Sequence, residues 1–169
     1  MARLNIVLAS DHNEVLITKA TRVPKVDDTV RRLMDDMVET MFEANGVGLA
    51  APQVNVPLRV IVLRVDNQIY QIANPEMVRC DGEQTGLEGC LSVPGMVGEV
   101  TRCERVVAKG LNRHGKHVRI KGDGLLARAI QHEVDHLDGI LFTMRVNEGT
   151  LREVEVAKEA EEAGAVTAV

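Results

Sequence analysis

Aromatic residues are nearly missing from this chain: two Phe, one Tyr and no Trp in 169 residues. Single-strand nucleic-acid grooves stack bases on aromatic faces, so the composition argues against that class of binder. Positive charge is not in excess either. Twenty Lys and Arg stand against 25 Asp and Glu, a formal net charge of −5, which leaves no electrostatic footprint for duplex DNA or RNA. No apolar run reaches the roughly 18 residues of a membrane span. The opening MARLNIVLASDHNE lacks an apolar segment of signal-peptide length. These absences lead to the expectation of a cytoplasmic protein with no membrane or DNA partner. Cysteine is scarce as well, with Cys80, Cys90 and Cys103 alone. Three cysteines in a reducing compartment are not expected to build disulfides. Cys80 and Cys103 are read as structural thiols.

What the chain has is enough apolar material, 45% of residues, for one core. We expect a single domain over residues 1–169, with 164–169 a frayed tail. From Asp27 to Ala44 the apolar residues Val30, Leu33, Met34, Met37, Val38, Met41 and Phe42 recur at spacings of three and four. That period predicts an amphipathic helix, with Asp27 or Asp28 as its cap. GVGLAAPQ follows, too rich in Gly and Ala for a regular strand. Leu58–Val65 reads as a buried strand and Gln68–Ala73 as its partner across a turn at Asp66-Asn67. Val100 to Ile120 alternates like strands around a turn at His114-Gly115. A helix is predicted from about Leu125 to Leu137, capped by Asp123 and stopped by Gly139. A last helix is predicted from about Glu148 to Glu162. The expected fold is α+β: antiparallel sheets packed around a central helix, with an N-terminal and a C-terminal helix.

The central helix carries His132-Glu133-Val134-Asp135-His136. Helical residues four apart lie about 40° apart around the axis and about 6 Å along it. Two imidazoles so placed can converge on one ion. Glu133 projects beside them, where it can reach a water rather than the ion, as in metal-dependent hydrolases. Leu126, Ala129 and Ile130 make the preceding turn apolar, which favours a buried helix over two solvated histidines.

A catalytic site of this kind needs a third protein ligand. In HEVDHLDGILF a third His at the far end would fall on Phe142, which cannot ligate. Glu155 and Glu159 lie at the distance used by a second class, but their segment is so dense in Glu that a match there means little. Cys90, in Glu88-Gly89-Cys90-Leu91-Ser92, follows a glycine in a predicted loop that ends at Pro94-Gly95. Spacing does not choose among them.

With Gly46-Val47-Gly48-Leu49-Ala50-Ala51-Pro52-Gln53, Glu88-Gly89-Cys90-Leu91-Ser92 and Gln131-His132-Glu133-Val134-Asp135-His136 in this order, the chain resembles the peptide deformylases over roughly Asp27 to Met144. The resemblance selects Cys90. It implies that Cys90, His132 and His136 bind one divalent metal, most often Fe(II), with zinc, nickel or cobalt able to take its place. It implies Glu133 as acid/base, and Gln53 with the Leu91 backbone N–H as oxyanion donors. Gly46 and Gly48 would line the peptide groove and Val47 the methionine pocket. The implied reaction removes the formyl group from the N-terminal formyl-methionine of nascent chains. Thiolate and imidazole ligands suit Fe(II) and Zn rather than Mg or Ca.

Around that centre, Glu88 is a candidate to fix the Cys90 segment or a neighbouring His or Arg, and Arg102 a candidate partner for it. Asp135 is read as a ligand orienter or a solvated residue, and His114 and His117 as solvated. Val97 stands near a position where many members of the resembled family carry an arginine that helps hold the peptide. In the predicted last helix, Arg152 and Lys158 face Glu153, Glu155, Glu159, Glu161 and Glu162. Such a helix is not expected to anchor the enzyme to ribosomal RNA, although other ribosome contact stays open. Two other functions remain: a metallopeptidase using Glu155 or Glu159, and a non-catalytic binder of peptide N-termini. Glu133, a base that a pure binder does not need, speaks against the latter.

Overall fold

The structure is a computed structural model and describes residues 2–154 together with the backbone of Thr167 and Ala168. The amphipathic segment forms α1 (Asp28–Glu43), and the Asp27 carboxylate accepts the Val30 backbone N–H at 3.0 Å. This side-chain acceptor satisfies one of the helix's orphan amides. GVGLAAPQ departs from expectation. Gly48–Ala50 is a short strand, β1, and Ala51–Val54 is a 3-10 turn. Pairing with β2 (Val60–Val65) imposes the extended conformation, in the register Gly48 to Leu63 and Ala50 to Ile61.

β2 pairs with β3 (Gln68–Asp81) across Asp66-Asn67. Both turn residues have positive φ, 52° and 62°, the conformation of a two-residue hairpin that matches strand twist. β6 (Arg105–Leu111) and β7 (His117–Asp123) complete a five-stranded antiparallel sheet of order β1-β2-β3-β6-β7. A second sheet has the order β8-β5-β4-β9, from β4 (Gln84–Cys90), β5 (Val93–Arg102), β8 (Arg152–Glu153) and β9 (Thr167–Ala168).

The helix of the HExxH motif, α2 (Gly124–Leu137), packs on one face of the first sheet and α1 on the other. β2 lies between them. Ile61, Leu63 and Val65 join Ala127, Ala129 and Ile130, whereas Val60 and Val62 join Met34, Met37 and Met41. Burial on both faces explains why LRVIVLRV is almost continuously apolar instead of alternating. The three methionines are fully buried, each contributing about 1.5–3 kcal/mol by leaving water. Gly139, at φ 75°, ends α2 as expected. Asp123 stands at its N-cap without a side-chain capping bond.

Three expectations are corrected. Glu148–Val154 contains the strand β8 instead of the start of a helix. Residues 152 and 153 pair with Val97 and Met96, which draws them into extended form. The rest of that predicted helix, with Glu155 and Glu159, lies outside the described residues, as does most of the predicted tail. Cys90 ends a strand and is not in a loop, because β4 and β5 pair up to Cys90 and Val93. Finally, Cys80 and Cys103 are joined by a disulfide. Cys80 in β3 and Cys103 in the β5–β6 connection are 23 residues apart, and the β3–β6 pairing brings their Cα atoms to 5.6 Å.

Candidate metal centre

His132 and His136 stand one turn apart on α2, with ring centroids 5.0 Å apart. Opposite them, Glu88 and Cys90 stand two residues apart at the end of β4. Two residues of strand span roughly 6.6 Å, close to the rise of about 6 Å between helical residues i and i+4. The strand end therefore lies in step with the helix, through a register shift between Glu88 and Cys90. Glu88 Oε1 lies 2.8 Å from His132 Nδ1, and Cys90 Sγ lies 3.4 Å from His136 Nε2. One donor atom from each of Cys90, His132 and His136 falls within 4.8 Å of the other two, and all three residues are buried.

Metal chemistry is also inscribed in what the buried atoms lack. Among the described residues, five buried side-chain N or O atoms have no hydrogen-bond partner. Four of them are here: His132 Nε2, His136 Nδ1 and both oxygens of Glu133. Orphaned buried polar atoms are rare and costly unless a ligand completes them. Burial, and then the neighbouring His132 and Arg102, hold the His136 pKa well below its usual value. The ring is therefore neutral, as a metal ligand must be. Burial pushes the Cys90 thiol up to about 12, opposed by backbone amides of Ser92 and Val93 and reinforced by the charges of Glu133 and Glu88. A thiolate here thus calls for a cation. The donor set fits a borderline or soft divalent ion.

Glu133 is fully buried, and desolvation raises its pKa well above the ordinary carboxylate range, against the opposing charge of Arg102. Room for it comes from Gly48. A Cβ there would lie 3.0 Å from Glu133 Cγ and Oε1 and from a Leu63 methyl. Gln53 is buried in the 3-10 turn after β1. Its Oε1 accepts the Ala50 backbone N–H at 3.0 Å, which turns its Nε2 toward Ser92 Oγ at 3.2 Å and Cys90 Sγ at 3.5 Å. The Ala50 N–H, which only the side-chain oxygen can accept, settles the orientation of this amide.

Behind the cluster lies a buried network of charge. Arg102 grips Glu88 with two bonds of 2.8 and 2.9 Å and reaches Asp135 at 2.6 Å. Arg128 donates to Glu88 and to the Val100 carbonyl. Arg145 holds Asp135 through two further bonds. Burial alone would raise the Glu88 pKa, but the hydrogen bonds from Arg102 and His132 outweigh it and hold the carboxyl well below its ordinary range. Glu88 is therefore an anion that accepts the His132 Nδ1 hydrogen, leaving the Nε2 lone pair free to ligate.

The fold thus brings Cys90, His132, His136, Glu133, Gln53 and Gly48 together. Phe142 is buried and stacks on His132 at 6.2 Å between centroids, a wall and not a ligand. Leu91 follows Cys90 directly and packs toward the α1 side of the core. Gly46 donates its backbone N–H to Met41 at 2.9 Å, closing α1, and Val47 packs against the core on the α2 side. Val97 is fully buried in β5. His114 and His117 are exposed. Arg102 pairs with Glu88 in the interior, and Asp135 is held between two arginines instead of being solvated.

Two contributors escaped sequence reasoning. Ser92 stood within the quoted motif without a role, and Arg128 was not singled out. A signal for Arg128 existed: it lies four residues before His132 on an otherwise apolar turn, so both project from one helix face.

The family model for polypeptide deformylase matches residues 4–152. A peptide deformylase of Symbiobacterium thermophilum is 50% identical over 172 residues, covering 100% of this chain and 77% of that protein. A crystal structure of a peptide deformylase from Legionella pneumophila superposes with a TM-score of 0.82 at 43% identity, covering 87% of this chain and 88% of the other. A peptide deformylase from Ehrlichia chaffeensis in complex with actinonin gives 0.84 at 38% identity, covering 88% and 91%. The sheets around the motif helix, the cluster of three buried donor residues and these likenesses agree: the chain belongs to the polypeptide deformylase family.

Proposed function

We propose that Cys90, His132 and His136 hold one divalent ion, Fe(II) by preference, and that Glu133, Gln53 and the Leu91 backbone N–H carry out the deformylation characteristic of the family. The observation that carries this assignment is the pair of unpartnered Glu133 oxygens beside three buried donor atoms within 4.8 Å of one another. Hydrolysis splits the formyl C–N bond with one water, yielding formate and the free N-terminal amine. A bound divalent ion supplies Lewis-acid polarisation of the formyl oxygen and lowers the pKa of water.

This chain's residues do the rest. Glu133 takes a proton from water at its carboxylate and returns it to the departing amine nitrogen. Its raised pKa suits both steps, since a carboxyl poised nearer neutrality accepts and releases a proton with less penalty. Gln53 Nε2 and the Leu91 N–H donate to the formyl oxygen as negative charge develops there. Glu88, clamped by Arg102 and Arg128, holds His132 in one tautomer.

The substrate lies as an extended strand, with Gly46, Val47 and Gly48 on one side and the edge of β4 on the other. That edge already accepts a strand. Thr167 and Ala168 pair with Glu88 and Gly89 in parallel, so a peptide bound there displaces them. Nascent chains are encountered in the cytoplasm, and ribosome contact does not run through a basic C-terminal helix. Loss of salt-dependent ribosome binding on deleting residues 151–169 would overturn that last point.

Anaerobic purification, metal analysis and assay on a formyl-Met-Ala peptide test the reading. One metal per chain and turnover are expected. No turnover after reconstitution with Fe(II), Ni or Co would sink it. A Cys90→Ala variant that kept metal and full activity would instead favour a different third ligand.

A further inference from the structure

We propose that the Cys80–Cys103 disulfide is a redox-reactive site on the back of α2, through which a dithiol reductant loosens the anchoring of His132. Nothing in the deformylation chemistry uses these cysteines, and their position is a specific one. Cys80 is exposed and Cys103 half-buried. Together they line a cleft of about 630 Å³ whose walls include Arg102, Gln131 and Asp135. A solvent-borne thiol can therefore reach the bond.

The connection to the metal centre is covalent on one side and hydrogen-bonded on the other. Cys103 directly follows Arg102, which grips Glu88, the partner of His132 Nδ1. The Cys103 backbone also holds Gln131, the residue before His132, from both ends. Its N–H donates to Gln131 Oε1 at 2.9 Å, and its carbonyl accepts from Gln131 Nε2 at 3.0 Å. Gln84 Nε2 donates to the same carbonyl at 3.1 Å. The β5–β6 connection is thus a joint where the second sheet, α2 and, through the disulfide, β3 meet. Opening the bond leaves β3 tied to the joint only through its backbone pairing with β6 and removes a cross-link that closes 23 residues.

The step balances as a thiol–disulfide exchange. A thiolate of the dithiol attacks Cys80 Sγ, the S–S bond breaks, and Cys103 leaves as a thiolate that takes up a proton. The second thiol of the reductant then displaces Cys80, which is also protonated. Two electrons and two protons pass to the protein, and the dithiol becomes a disulfide.

The experiment uses the full chain loaded with nickel, with and without dithiothreitol, beside a Cys80→Ser variant. Denaturation under air in a thiol reagent should count one free thiol in the wild type, Cys90, and three after reduction. Reduction should lower Tm by roughly 5–10 °C and speed nickel loss to a chelator severalfold. Cys80→Ser should show both changes without reductant and no further response to it. Three thiols in the untreated protein, or a Tm indifferent to reduction, would overturn the proposal. An unchanged nickel-loss rate would overturn the coupling to His132. The coupling rests on the metal-site assignment. A chain that binds no nickel in either state would count against that assignment, while the thiol count and Tm would still judge the disulfide.

Discussion

Glu88 Oε1 accepts the Nδ1 hydrogen of His132 at 2.8 Å, while the same carboxylate is held by Arg102 and Arg128. The imidazole is thereby fixed with Nε2 facing the other donors. Glu88→Gln keeps the shape and loses the charge. It is expected to weaken metal affinity roughly 10–100-fold, the usual effect of such supporting partners, read as the rate of metal loss to a chelator.

The same carboxylate sets a pH dependence. Its folded pKa is depressed below the ordinary 4.5. Folding stability from Glu88 is therefore fully present above about pH 4.5 and is lost as pH falls toward the folded value. Acid unfolding of the wild type followed by circular dichroism should show this loss, and the Glu88→Gln variant should lack that component.

Glu133→Gln removes the proton carrier and leaves the three donor residues in place. The expected result is a fall in kcat of about 10²–10⁴ with metal content unchanged. Because burial raises the Glu133 pKa and the active form is the carboxylate, wild-type kcat/KM should fall as pH drops. The acid limb should lie above the ordinary carboxylate value of 4.5. A limb at or below that value, measured on formyl-Met-Ala, would contradict the assignment.

Gln53→Ala deletes a donor held toward the site by the Ala50 N–H. A loss of about 10²–10³ in kcat, with KM little changed, is expected for one oxyanion donor. Steady-state kinetics at fixed metal loading measures it.

At Gly48 the added methyl of an alanine would meet Glu133 Oε1 at 3.0 Å. Gly48→Ala should displace the carboxylate and lower kcat by roughly 10- to 100-fold, as small misplacements of catalytic groups do. A folded variant with wild-type kcat would show that Glu133 has room to spare.

Thr167 and Ala168 occupy the edge of β4 that the substrate is proposed to use. Deleting residues 155–169 should lower KM for a formyl peptide severalfold and leave kcat unchanged. A higher KM would mean that the tail supports binding.

The local features were legible from residue order. Helical spacing revealed α1 and α2, because a period of 3.6 residues is written into the chain wherever one helix face is buried. The same period placed His132, Glu133 and His136, and Asp27 and Gly139 marked helix ends by their own chemistry. Cys90 is different. It is 46 residues from His136, and no periodicity joins a strand end to a helix so distant. A one-residue slip of β4 would point Cys90 and Glu88 away from α2. Only the assembled sheets decide that register. They also turned Gly48–Ala50 into a strand through its pairing with β2, buried the Glu88–Arg102 pair, and recruited Arg128 and Asp135 to one network. The same β3–β6 pairing joined Cys80 to Cys103, which composition alone had left as thiols. Residue types and local spacing determined which chemistry this chain can perform. Long-range packing decided which partners hold it in place, because burial and register belong to the whole fold.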